Sequence, residues 1–262
     1  RFVVDDLLAH GHAVRAWARA GSDRGGFSGP VDWVEGGLDE PESAVDLVRG
    51  ADALVHAAFA HVPGKYRGGE GADADAFLAT NLGGSLGLIR RARREGVGRV
   101  VFLSTRAVYG ARLWDRPLDE RHPVRPTTHY GGYKAAVEAV LAGYGKAEGW
   151  PAASLRATGV YGVGHDPGRA KWAEVVRTSR AGTAPPPRAG TEVHGDDLAA
   201  AVRLLLQAPA AAVAGEAFNL SDVVVSHRAV TRLAGGALAP PAPPPPGVMA
   251  TDKLQALGWR PR

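Results

Sequence analysis

The sequence predicts an α/β fold, a doubly wound parallel sheet with a small lobe formed late in the chain. Three observations carry this. Short apolar runs alternate with stretches of helical period along most of the chain. Two of those runs, at 53–58 and 99–103, are almost wholly apolar, the pattern of strands buried on both faces. Helix-length stretches separate the strands, so the connections are crossovers and the pairing is parallel.

The elements come in order. Arg1-Phe2-Val3-Val4-Asp5-Asp6-Leu7-Leu8 has apolar residues at 3, 4, 7 and 8, a helical period already running at residue 1, and Gly11 is its stop. Residues 13–18 read as a strand, and a polar, glycine-rich loop runs on to Pro30. Val31–Val34 is a short strand, Glu42–Val48 a helix, and Ala53–Ala58 a strand. Phe77–Arg94 is a helix, Arg99–Leu103 a strand, Tyr130–Tyr144 a helix, Ala152–Arg156 a strand and Leu198–Gln207 a helix. The last third is less regular. Pro185-Pro186-Pro187 and the run from Pro240 to Pro246 read as stiff connectors.

Bulk properties narrow the function classes. The chain has 262 residues, 45% hydrophobic and 22% charged, ordinary for a globular protein. Its net charge is +4, but the arginines are scattered, so no nucleic-acid partner is expected. No apolar run approaches the ~20 residues of a membrane span, so no membrane partner is expected either. There is no cysteine, which excludes disulfides and thiolate metal sites and suits a cytoplasmic location. No His, Asp or Glu spacing suits a metal, His56 reads as a packed core histidine, and His10 and His12 read as a solvated turn.

Chemistry concentrates in Tyr130-Gly-Gly-Tyr133-Lys134. Tyr130 and Lys134 stand four apart on a helix and share a face. A neighbouring ammonium favours the phenolate, which makes the tyrosine a usable proton donor or acceptor near neutral pH. Upstream, the strand 99–103 runs into Ser104-Thr105-Arg106-Ala107-Val108-Tyr109-Gly110, placing a hydroxyl where open α/β sheets bind ligands, at a strand's carboxyl end.

With these residues the chain resembles the extended short-chain dehydrogenase/reductase family, of the NAD-dependent epimerase/dehydratase type. Ala51–Ala58 resembles the family's fourth strand, Asn81-Leu-Gly-Gly84-Ser85 its Asn-x-x-Gly-Thr helix, and Thr105–Gly110 its Ser/Thr-x-x-Val-Tyr-Gly segment. Leu155-Arg156 with Val160-Tyr161-Gly162, Val193-His194 with Asp197, Phe218-Asn219-Leu220, and Leu257-Gly258-Trp259 resemble later landmarks in the right order. The resemblance implies a Rossmann-like domain over 1–156, then a small substrate lobe mixed with returning Rossmann elements over 157–262. It implies Tyr130 as general acid/base, Lys134 on the nicotinamide ribose, and Thr105 orienting a substrate oxygen. Asn81 would order the site, and Ala57 and Ala58 would line the cofactor path. It also implies a homodimer through the helices 77–94 and 130–144. Ala135, Ala136, Val137, Val140 and Leu141 form an apolar stripe there that a buried core face would explain equally well.

The chain departs from the family in several places. The family's opening strand and glycine loop are not found, and Arg1-Phe2-Val3-Val4 matches the residues just after that loop, so an incomplete N-terminus is expected. No acidic residue ends the second strand; Arg19 and Ser22 there lean the cofactor from NAD toward NADP, whose 2′-phosphate an arginine accommodates. Gly37-Leu38 replaces Asp-Leu, leaving Leu38 to flank the adenine, and Phe59 stands where a small residue would leave the nicotinamide path wider. Gly159 and Gly190 replace the asparagine and arginine that sugar-nucleotide enzymes of the family use, with Arg188 two residues from the second. His194 and Asp197 read as structural.

The leading expectation is therefore an NAD(P)-dependent oxidoreductase acting on a small carbonyl or alcohol through Thr105, Tyr130 and Lys134. A sugar-nucleotide epimerase or dehydratase using the same residues is the second. A non-catalytic cofactor-binding or scaffold protein is the third.

Overall fold

The computed structural model describes residues 1–62, 69–243 and 247–262. Helix α1 (Phe2–Ala9) leads into β1 (Val14–Ala18), which pairs in parallel with β2 (Val31–Glu35), Val14 opposite Val31 and Ala18 opposite Glu35. Then come α2 (Ser43–Val48), β3 (Ala53–His56), α3 (Ala74–Leu78), α4 (Gly84–Arg94), β4 (Arg99–Thr105), α5 (His129–Glu148) and β5 (Ala152–Ala157). The remainder is β6 (Gly159–Tyr161), α6 (Ala173–Arg180), β7 (Ala189–His194), α7 (Gly195–Gln207), α8 (Ala210–Val213), β8 (Glu216–Leu220), β9 (Val223–Ser226), α9 (His227–Ala234) and α10 (Asp252–Ala256).

Strands β3, β4, β5 and β8 form a parallel sheet in that order. Strands β1 and β2 form a separate pair, and β1 does not pair with β3. Strands β6, β7 and β9 make a small sheet in which β7 and β9 run antiparallel.

Because successive side chains of a strand point to opposite faces, β4 serves two cores. Val100 and Phe102 pack with Leu88, Ile89, Val137 and Leu141 of α4 and α5 on one face. Val101 packs with Leu198, Val202 and Leu205 of α7 on the other. This is the doubly wound arrangement. Trp17 of β1 joins the first core, and Val3 of α1 joins the second.

Helix ends obey local chemistry. Thr128 caps α5 by accepting a hydrogen bond from the Gly131 amide at 3.0 Å, and Gly149, at φ +71°, ends it in the left-handed conformation that glycine adopts without a steric cost. The helix thus reaches Glu148 rather than stopping at Tyr144. The predicted helix over Phe77–Arg94 starts earlier, at Ala74, and contains a π-helical turn over Ala79–Gly83 between α3 and α4. A period of 3.6 does not reveal such a wide turn.

Of the apolar stripe on α5, Val137 and Leu141 belong to the core, while Ala135, Ala136 and Val140 are half-buried. Pro185–Pro187 lies in an irregular loop, as does 240–243; Pro244, Pro245 and Pro246 lie outside the described residues. Among the described residues no helix is long and apolar enough to cross a membrane, and no cluster of His, Asp and Glu could hold a metal ion.

Candidate active site

Parallel pairing puts the carboxyl ends of β3, β4 and β5 on one edge of the sheet, and the site residues gather along it. Thr105 is the last residue of β4. Its Oγ1 accepts from the Ala107 amide at 3.2 Å, capping a short 3-10 turn over Arg106–Tyr109. That contact uses an oxygen lone pair, so the hydroxyl proton remains to be donated.

Helix α5 brings in Tyr130 and Lys134 from its first two turns. Lys134 is only 3% exposed, and its Nζ donates to the Leu103 carbonyl of β4 at 2.6 Å. The ammonium also lies 4.4 Å from the centre of the Phe102 ring. Burial pushes the lysine down to about 7, opposed in part by the Glu138 carboxylate. An ammonium has three donors, so two remain for a ligand.

Phe59 lies over this pair. Its ring centre is 5.0 Å from that of Tyr130 and 6.0 Å from Lys134 Nζ. Phe77 and Tyr133 complete the aromatic cluster. The sequence pointed to Phe59 as narrowing the nicotinamide path; its ring packs against the tyrosine. Burial pushes the neighbouring Tyr133 phenol far up, which keeps it protonated.

Asn81 is fully buried on the π turn. Its Nδ2 donates to the carbonyls of Ala60 at 2.8 Å and Phe77 at 3.0 Å, and its Oδ1 accepts from the Ala60 amide at 2.9 Å. The side chain is thus committed to the segment after β3, and it orders the backbone around Ala57 and Ala58 rather than reaching past it. Ala57 is exposed and Ala58 half-buried. Leu38, just past β2, is buried against Gly84, where any Cβ would overlap the Leu38 carbonyl. Arg19, just past β1, is exposed and makes no ion pair among the described residues. Arg19, Leu38, Ala57 and Ala58 each come after the carboxyl end of a parallel strand.

His56 and His194 are engaged in local hydrogen bonds. His56 Nε2 lies 2.8 Å from Ser85 Oγ, and burial, reinforced by the charge of Lys134, pushes its imidazole down to about 3. His194 Nδ1 accepts from the Asp196 amide and caps α7. Asp197 is buried, its carbonyl accepting from Trp259 Nε1 at 2.9 Å.

Sequence reasoning missed a buried polar network behind the site. Glu138, one turn beyond Lys134 on the same face of α5, accepts from Ser104 Oγ and is gripped by Arg156. Arg156 Nη1 donates to the Tyr109 hydroxyl at 2.8 Å, which donates to Asn219 Oδ1 at 2.6 Å. Burial pushes the Tyr109 phenol up to about 12. The spacing that linked Tyr130 to Lys134 also links Lys134 to Glu138, so a sequence clue existed. The partners on β5 and β8 had none, because strand pairing brings them in.

The donors along the strand ends suit NAD(P): hydroxyls and a buried ammonium for ribose, and a free-standing guanidinium at the rim. The chain matches the NAD dependent epimerase/dehydratase family over residues 1–221. It is 33% identical over 131 residues to the dTDP-glucose 4,6-dehydratase of Streptomyces niveus, covering 50% of this chain and 37% of that protein. It is 31% identical over 154 residues to the UDP-glucose 4-epimerase of Streptomyces lividans, covering 55% of this chain and 45% of that one. These matches span less than half the length of either relative. The solved UDP-glucose 4-epimerase of Thermus thermophilus in complex with NAD aligns over 100% of this chain and 90% of its own, with TM-score 0.79 and 28% identity. With its parallel sheet, Thr105 at the end of β4, Tyr130 and Lys134 on α5 and this family match, the chain belongs to the NAD-dependent epimerase/dehydratase family.

Proposed function

We propose that this chain acts on a nucleotide-linked sugar with NAD(P), as a sugar-nucleotide epimerase or dehydratase, which ranks the second sequence expectation above the first. The observation that carries this is the bond from Lys134 Nζ to the Leu103 carbonyl, two residues before Thr105 at the end of β4, with Tyr130 one helical turn before the lysine. Thr105 donates to an oxygen of the sugar. Tyr130 takes the proton from a sugar hydroxyl and returns it. The Lys134 ammonium stabilises the phenolate and holds the ribose through its two remaining donors. When bound, the dinucleotide supplies the hydride acceptor and donor. Arg19 is the residue through which the rim would accept the 2′-phosphate of NADP.

The losses at Gly159 and Gly190 counted against a sugar nucleotide. At Gly159 the structure supports a different reading. The Lys171–Glu192 ion pair occupies the space a side chain there would fill, so this chain offers polar groups from another direction.

A small carbonyl or alcohol substrate is favoured by one observation, the Phe59 ring packed against Tyr130. Incubation with NAD+ and UDP-glucose or dTDP-glucose, followed by NMR of the sugar, tests the proposal. A changed C4 centre or a 4-keto sugar, with no net reduced cofactor, is the expected result. Stoichiometric NADH or NADPH formation with simple alcohols, and unaltered sugars, would replace it with the small-substrate reading.

A further inference from the structure

Three consecutive residues at the end of β4 divide the site between them. The Leu103 carbonyl accepts from Lys134 Nζ at 2.6 Å, the Ser104 hydroxyl donates to Glu138 Oε1, and Thr105, the last residue of the strand, keeps a hydroxyl proton for the cleft. Lys134 and Glu138 stand four apart on α5, so the ammonium and the carboxylate share the face that packs on β4. Both are buried, Lys134 at 3% exposure and Glu138 at 7%. The carboxylate is pinned from its far side as well. Arg156 of β5 donates from Nε to Oε1 at 3.2 Å and from Nη2 to Oε2 at 2.7 Å, and its Nη1 donates to the Tyr109 hydroxyl at 2.8 Å.

Burial by itself discharges an ammonium, because a low dielectric disfavours the charged form. The surroundings of Lys134 are otherwise aromatic: the rings of Phe59, Phe102 and Tyr133 lie against it, and Tyr130 stands one turn before it. His56 of β3 faces it too, but burial and the lysine's own charge keep that imidazole neutral. Among the described residues, Glu138 is the one carboxylate that favours the charged lysine.

We propose that Glu138 is a positioning residue for the reaction: fixed by Ser104 and Arg156, its carboxylate keeps the buried Lys134 an ammonium beside Tyr130. This deepens the role given to Lys134 under the proposed function and rests on it, but its test needs no substrate, so its failure and the failure of the sugar-nucleotide reading are separate results. Lys134 is followed by NMR in protein carrying 13C-labelled lysine, with Lys134→Met identifying its signal, in wild type, Glu138→Gln and Glu138→Asp. The glutamine keeps the size and an acceptor for Ser104 but has no charge. The lysine's titration midpoint should fall by about one pH unit in Glu138→Gln, roughly a tenfold change in its acid constant, and return most of the way in Glu138→Asp. A midpoint unchanged or raised in Glu138→Gln, or a fall that Glu138→Asp does not reverse, overturns the proposal and leaves the Glu138–Arg156 pair a brace between α5 and β5. If Glu138→Gln does not fold, because Arg156 is left as a lone buried charge, the double variant Glu138→Gln with Arg156→Met carries the same readout. A lowered Lys134 midpoint there supports the proposal, and an unchanged or raised one overturns it.

Discussion

Arg156 clasps the carboxylate of Glu138 at two points, Nη2 to Oε2 at 2.7 Å and Nε to Oε2 at 3.0 Å, with both side chains buried. The pair ties β5 to α5 directly behind Lys134. Removing one member strands the other charge in the interior, whereas replacing both with apolar groups does not. Glu138→Leu should therefore cost about 3–5 kcal/mol in urea unfolding, and the double change Glu138→Leu with Arg156→Met should regain most of it. An equal loss in the double variant would mean that the ion pair itself, not the avoidance of a lone charge, stabilises the fold.

Lys134 makes the stability depend on pH. Its folded-state value is about 7 against the ordinary 10.5, so across that interval the unfolded chain holds a proton that the folded chain has released. Stability therefore rises with pH through the interval, and the penalty of burying the ammonium is largest below it. Lys134→Met removes this term. The Tm of the variant relative to wild type should be highest at and below neutral pH and should fall steadily toward the ordinary lysine value. A difference that is flat in pH would show that the buried lysine keeps its charge.

Tyr130→Phe keeps the ring packed against Phe59 and removes only the hydroxyl. Turnover on whichever sugar nucleotide proves active should fall by roughly 100-fold or more, the scale of a lost general acid/base. Fluorescence titration with NADH and NADPH should give nearly unchanged affinities. Retained turnover would remove Tyr130 from the chemistry.

Arg19→Ala tests the cofactor at the rim. Loss of a guanidinium–phosphate contact should weaken NADPH binding about tenfold while leaving NADH binding alone. Equal effects on both would make Arg19 an ordinary surface residue.

Gly159→Ala places a methyl group on the Lys171–Glu192 pair. Overpacking of this kind costs about 1–3 kcal/mol, read as a lower urea midpoint. In a Lys171→Ala, Glu192→Ala background the space is open and the same change should be neutral. A loss of equal size in both backgrounds would place the strain in the backbone instead.

The sequence by itself determined the parallel α/β class, because the almost wholly apolar strands at 53–58 and 99–103 can be satisfied only between two layers of helices. It also pointed to Thr105, Tyr130 and Lys134 as candidates, because these sit at a strand end and on one helix face, both local relations. The tertiary structure decided the rest. Strands β6 and β7 hold glycine and polar residues, so their strand state comes from pairing with each other and, for β7, with β9, and not from any apolar run of their own. Asn81 faces Ala60 because a π turn, invisible to helical periodicity, rotates it there. The network from Ser104 through Glu138 and Arg156 to Asn219 joins residues far apart in the chain. Such contacts depend on strand order and on the close packing of loops, which local patterning does not encode.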